Sequence, residues 1–192
     1  MEPSTSFFKK YYVKFRQTFV DPLVYSKNSP HFDALGVSLG LVIGFLIPVG
    51  GQLACLGLLR IVLRFNLIVA GAFTLVSNPL NMIPLYYGYY LLGTLVIGKP
   101  EQTIEFDSFE LIMSPIMNAD YFWESLDGFL GLSQAFLIRW LIAAIILAVV
   151  FGILGYVITH RIQKQRIMAT ARSMDTEYHA LTRKLQEHQE DK

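Results

Sequence analysis

"TLVSNPLNMIPLYY", residues 74–87, lies inside a run of 34 residues, 65–98, that holds no Asp, Glu, Lys, Arg or His. Asn78-Pro79, then Asn81 and Pro84, is loop chemistry. Each proline lacks a backbone donor and pushes the residue before it away from helix. The surroundings are membrane chemistry, since about 18 or more apolar residues in a row mark a candidate span. As one helix the run would be about 51 Å long, against a hydrocarbon core of about 30 Å. It must break, tilt or overshoot, and residues 77–84 are the place for a break.

Two further runs lack charge: 26 residues over 34–59 and 20 over 140–159. Apolar types make up 53% of the 192 residues and charged types only 16%, where soluble domains carry about 25%. Mean hydropathy is +0.43. The class expected is an all-α integral membrane protein. The first long run repeats the design of the second. "PVGGQ", residues 48–52, puts Pro48, Gly50 and Gly51 between two apolar pieces, ending or kinking the helix there. Upstream, Ser29-Pro30 reads as an N-cap followed by a first-turn proline. Gly36, Gly40 and Gly44 recur every four residues on one face, where small residues let helices approach closely in lipid.

Around this membrane domain, 29–98, four other segments are expected. Residues 1–28 place Phe8, Tyr12, Phe15 and Phe19 at helical spacing, with Lys9, Lys10, Lys14 and Arg16 mostly opposite, as in a basic interfacial helix. They lack a signal-peptide pattern, so the first apolar run is expected to be retained. Residues 99–139 form a wet, acidic connector with seven carboxylates and two bases. Within it, 120–130 suit a short amphipathic piece on the membrane surface. Residues 140–160 read as a transmembrane helix opened by Trp140 as an interface anchor. Residues 161–192 form a basic, amphipathic helical tail, with Ile167, Ala171, Met174, Tyr178, Leu181 and Leu185 at heptad-like spacing.

Basic residues favour the cytoplasmic side, so both tails belong inside and the acidic connector outside. Three simple spans cannot satisfy this parity. One of the two broken runs must be a re-entrant hairpin, and the sequence leaves open which. Lipid cannot satisfy the backbone groups freed at a break, so each break must be buried in protein or line a wet cavity.

These stretches, "SPHFDALGVSLGLVIGFLIPVGGQ", "LLRIVLRFN" and "TLVSNPLNMIPLYYGYYLLG", resemble the bacterial membrane family catalogued as domain of unknown function 2062. Ser29-Pro30, Pro48 to Gln52, Arg64 to Asn66 and Asn78 to Pro84 stand where that family's motifs stand. Asn81 replaces a threonine common there. The resemblance covers roughly 15–98. It implies a multi-pass protein of the bacterial inner membrane, and no activity.

Residues 34–98 contain no Asp, Glu or His, so the general acid, general base and metal ligands of most hydrolases are missing from the apolar domain. The sequence points away from an enzyme, and no metal, cofactor or nucleic acid is expected. Cys55 reads as a packing residue. Binding chemistry remains. Arg60 and Arg64 suit a phosphate, and Asn66, Gln52, Asn78 and Asn81 supply amides. In one reading these six line a polar crevice between the broken helices, holding an anionic lipid headgroup or solute for transport or lipid handling. In the other, the amides only satisfy the broken backbone, and the protein is a membrane scaffold recruiting a partner through its tails. A homo-oligomer or a membrane-protein partner is expected either way.

Overall fold

The computed structural model describes residues 26–99, 103–173 and 177–190, with Val13, Lys14, Arg16, Gln17 and Leu23 besides. The interfacial helix expected over 1–28 therefore lies largely outside the described residues. Those residues form eight helices and no strand: α1 (Pro30–Leu46), α2 (Gln52–Val62), α3 (Leu67–Thr74), α4 (Met82–Ile97), α5 (Phe106–Met117), α6 (Phe122–Leu130), α7 (Gln134–Ser173) and α8 (Tyr178–Glu190).

Helix α7 is the spine. Its 40 residues rise about 60 Å, and among the described residues only this helix is long and apolar enough to cross a membrane. One stripe stays buried along almost its whole length: Phe136, Trp140, Ala144, Ala148, Gly152, Thr159, Gln163, Ile167 and Ala171. The residue types change along the stripe, and each set takes a different partner. Small residues in the middle let α1 approach. A Cβ on Gly152 would come within 2.7 Å of Val42, and one on Gly155 within 2.6 Å of Leu41. The aromatic end takes α4, where Trp140 meets Tyr86 edge-on at 5.4 Å and Phe129 at 5.0 Å.

Ser29 caps α1, its hydroxyl accepting from Phe32 N, with Pro30 in the first position. After α1 the chain turns through Gly50, whose φ of +106° is left-handed and suits glycine. Helix α2 then runs back along α1. Gln52, at its start, bonds to Gly44 and Ile47 at the end of α1. Arg60, near its end, lies 5.8 Å over the Phe32 ring at the start of α1. The pair is a helical hairpin.

Helix α3 runs parallel to α1 on the glycine face. A Cβ on Gly36 would meet Asn66 O at 2.7 Å, one on Gly40 would strike Ala70 O, and one on Gly44 would meet Val76 at 2.7 Å. The chain is non-helical from 75 to 81 and resumes as α4, which continues beyond the end of α1 along α7.

Five expectations need correction. Pro84 is not part of the break but stands in the first turn of α4, where a missing N–H has no helical partner to lose. Gln52 likewise opens α2 and is not part of the 48–52 break. The helix expected over 140–160 is longer at both ends, because its buried stripe continues in both directions. Trp140 is 5% exposed and packs inside the aromatic cluster, where an outward-facing anchor was expected. The connector is also less open than expected: Phe109 and Met113 of α5 and Phe129 of α6 are buried in the core, while its described carboxylates stay exposed.

Gly93 packs so closely on the Arg139 backbone that a methyl group there has no room. Gly93→Ala should therefore destabilise the protein in mild detergent by about 1–3 kcal/mol. Gly88→Ala, which meets open space, should leave the thermal midpoint unchanged or raised.

Candidate functional site

The six residues expected to line one crevice divide between the two ends of α1. At its C-terminal end, the breaks consume their own polar groups. Gln52 Nε2 donates to Ser77 Oγ at 2.7 Å, to Ile47 O at 3.0 Å and to Gly44 O at 3.4 Å. Ser77 Oγ donates to Gly44 O at 2.6 Å. Asn81 Nδ2 donates to Val76 O at 2.9 Å, and its Oδ1 accepts from Asn78 N at 2.9 Å. Asn78 in turn donates to Leu75 O and accepts from Leu80 N. Where the breaks meet lies a cavity of about 110 Å³, lined by Pro48, Pro79, Met82, Tyr86, Met113 and Phe122 among others. The amides face the backbone, and the cavity they leave is mainly apolar.

At the N-terminal end, Asn66 also turns inward. Its Oδ1 caps α3 by accepting from Val69 N at 3.2 Å, while Nδ2 donates to Asp33 Oδ1 at 2.7 Å. Asp33 is 0% exposed. Asn28 Nδ2 donates to the same oxygen at 3.1 Å, and Gln163 Nε2 to Oδ2 at 3.2 Å. Gln163 also donates to Leu23 O at 2.6 Å, and Arg166 donates to Leu23 O and Ser26 O. Burial draws the Arg166 guanidinium below its ordinary range, and the Asp33 charge offsets only part of that. A buried charge must be paired and hydrogen-bonded, and here three parts of the chain meet that demand together: the stretch before α1, the cap of α3, and α7. Sequence reading placed Asp33 only at the edge of the apolar domain and missed Gln163 and Arg166 as its partners. The signal was available: residues 159, 163, 167 and 171 share one helical face, so a glutamine there is turned inward.

Arg60 and Arg64 remain outward. Both line an open cavity of about 600 Å³ at the base of the hairpin, with His31, Leu63, Gln189 and Glu190 among its other walls. Arg60 Nη1 donates to Leu63 O at 3.4 Å. Arg64 lies 3.8 Å from the Glu190 carboxylate, both side chains more than 70% exposed. No cluster of three or more His, Cys, Asp or Glu that could hold a metal occurs among the described residues.

An all-helical bundle on one long apolar spine, with both of its companion runs interrupted at motif positions, is the class defined here. The chain belongs to the family described as "Uncharacterized protein conserved in bacteria (DUF2062)", whose model matches residues 14–172. That match extends well past the motifs of 29–98 and takes in most of α7. No curated protein and no solved structure matches.

Gln52→Ala should cost about 1–3 kcal/mol, since it leaves buried carbonyls short of a donor. Arg166→Gln should cost about 1–3 kcal/mol, since it removes the donors to Leu23 O and Ser26 O and the positive charge that acts on Asp33. Combining it with Asp33→Asn should cost clearly less than the two single changes summed, as a double-mutant cycle in detergent would read.

Proposed function

We propose that this is an inner-membrane protein, and that Arg60 and Arg64 bind the phosphate of an anionic lipid headgroup or a small phosphorylated solute. The observation that carries this reading is the contrast within the candidate set. The amides are all engaged by the backbone or by Asp33, while the two arginines line an open cavity of about 600 Å³. Guanidinium groups suit phosphate by charge and by their planar fork of donors.

The membrane setting rests on the outer surface. Ile61, Val62, Ile68, Leu80 and Leu95 are each at least 78% exposed, more than an aqueous surface tolerates. From Arg139 to Arg161, α7 rises about 33 Å, close to a hydrocarbon core. Of the two topologies compatible with the charges, the geometry favours the one in which residues 34–59 are re-entrant. Hairpin α1–α2 enters from the cytoplasmic face and turns about 24 Å in. Helices α3 and α4 together cross once, α5 and α6 close the far side, and α7 returns. Both tails are then cytoplasmic, and Arg60, Arg64 and Arg161 obey the positive-inside rule. Trp123 of α6 and Tyr121 at its N-cap, both exposed, suit the opposite interface.

The role is non-catalytic: a lipid- or solute-handling protein. One observation favours the scaffold reading beside it, namely that no residue of α8 is buried, which leaves much of that helix's surface open to a partner. Removing residues 177–192 separates the two, since Arg166 and the Asp33 network stay intact. Partner capture lost with lipid binding retained supports the scaffold.

The test of the lipid reading is native mass spectrometry of detergent-purified protein with phosphatidylglycerol or phosphatidylcholine. Arg60→Gln and Arg64→Gln should each weaken phosphatidylglycerol binding roughly threefold to tenfold. The double variant should lose the preference for the anionic lipid. A preference that survives the double change rejects the phosphate role.

A further inference from the structure

Three features of α8 converge on the arginine cavity. Its last turn supplies Gln186, Gln189 and Glu190 to the cavity wall. Glu190 pairs with Arg64 at 3.8 Å. Gln189 Oε1 accepts from Ser29 Oγ at 3.2 Å, which ties the helix end to the cap of α1. The C-terminal end of a helix carries partial negative charge from its free carbonyls. A carboxylate and a negative helix end therefore face a pair of cations. At the other end of α8, Tyr178 lies 5.8 Å from Lys164 Nζ of α7, so the helix folds back from the end of the spine toward the hairpin base.

The attachment is weak. An exposed ion pair contributes about 0–1 kcal/mol, and no residue of α8 is buried. A helix of 13 residues is marginal without tertiary support. The Gln189 amide nitrogen is buried without a partner among the described residues, a cost that lifting α8 away would relieve.

From these contacts, and resting on the phosphate reading of Arg60 and Arg64, we propose that α8 is a built-in competitor for the anion site. Glu190 stands in for the phosphate on Arg64, and α8 holds the cavity until an anionic ligand displaces it. A phosphate or phosphodiester enters a cavity that both Arg60 and Arg64 line, whereas the Glu190 carboxylate pairs with Arg64. Ligand binding and docking of α8 then compete for one site, so each opposes the other by the same factor.

The experiment uses the full-length protein in mild detergent, with phosphatidylglycerol and, separately, inorganic phosphate as probes. Glu190→Gln should tighten phosphatidylglycerol binding about twofold to fivefold, the worth of an exposed pair. In an Arg64→Gln background it should add nothing. Phosphatidylglycerol should also speed amide hydrogen exchange across residues 178–190. If inorganic phosphate reproduces both effects, the phosphate group suffices as ligand; if only the lipid does, the headgroup is recognised as part of a lipid. Unchanged affinity in Glu190→Gln, with Arg64→Gln still weakening binding, overturns the competitor and leaves the anion site standing. Unchanged exchange in α8 at saturating lipid overturns it as well. Arg60→Gln/Arg64→Gln binding as tightly as the unsubstituted protein removes the site, and the competitor with it.

Discussion

Helix α1 ends inside the protein, and its last carbonyls have no helical partner there. Gly44 O accepts from Ser77 and Gln52, Phe45 O from Tyr89 at 3.3 Å, and Ile47 O from Gln52. The donors come from the break after α3, from α2 and from α4. A buried carbonyl left without a donor is costly, so the end of α1 dictates where three other elements must stand. The break over residues 75–81 is one of the answers to this demand. It brings Ser77 to Gly44 O, and its asparagines close their own turn.

The opposite end of α1 carries the second constraint, the buried Asp33 charge. Asn66 meets it while capping α3, and Gln163 and Arg166 meet it from the far part of α7. The hairpin is thus pinned at both ends, by carbonyls at one and by a carboxylate at the other. Polar side chains that resembled a binding crevice are engaged at these two anchors. Arg60 and Arg64 stand outside that network, lining the open cavity at the hairpin base.

Local features were legible in the sequence. The Ser29 cap, the first-turn Pro30 and the two interruptions follow from residues within a few positions of one another. Long-range satisfaction was not. Gln52 and Ser77 are 25 positions apart, Gly44 and Ser77 are 33 apart, and Asp33 and Gln163 are 130 apart. Nothing in either neighbourhood names its partner. Trp140 was misread for a related reason: an aromatic at the start of an apolar run resembles an interface anchor. Its place on the stripe 136, 140, 144, 148 is what turns it inward. The same stripe explains why α7 does not stop at 160.

Sidedness of the hairpin base is the most direct test. In a Cys55→Ser background, single cysteines at Leu63 and Glu124 are labelled in intact spheroplasts with a membrane-impermeant maleimide. Hairpin entry from the cytoplasmic face predicts labelling of position 124 at once, and of position 63 only after the membrane is permeabilised. Labelling of both positions from the outside, or of position 63 alone, contradicts the re-entrant hairpin.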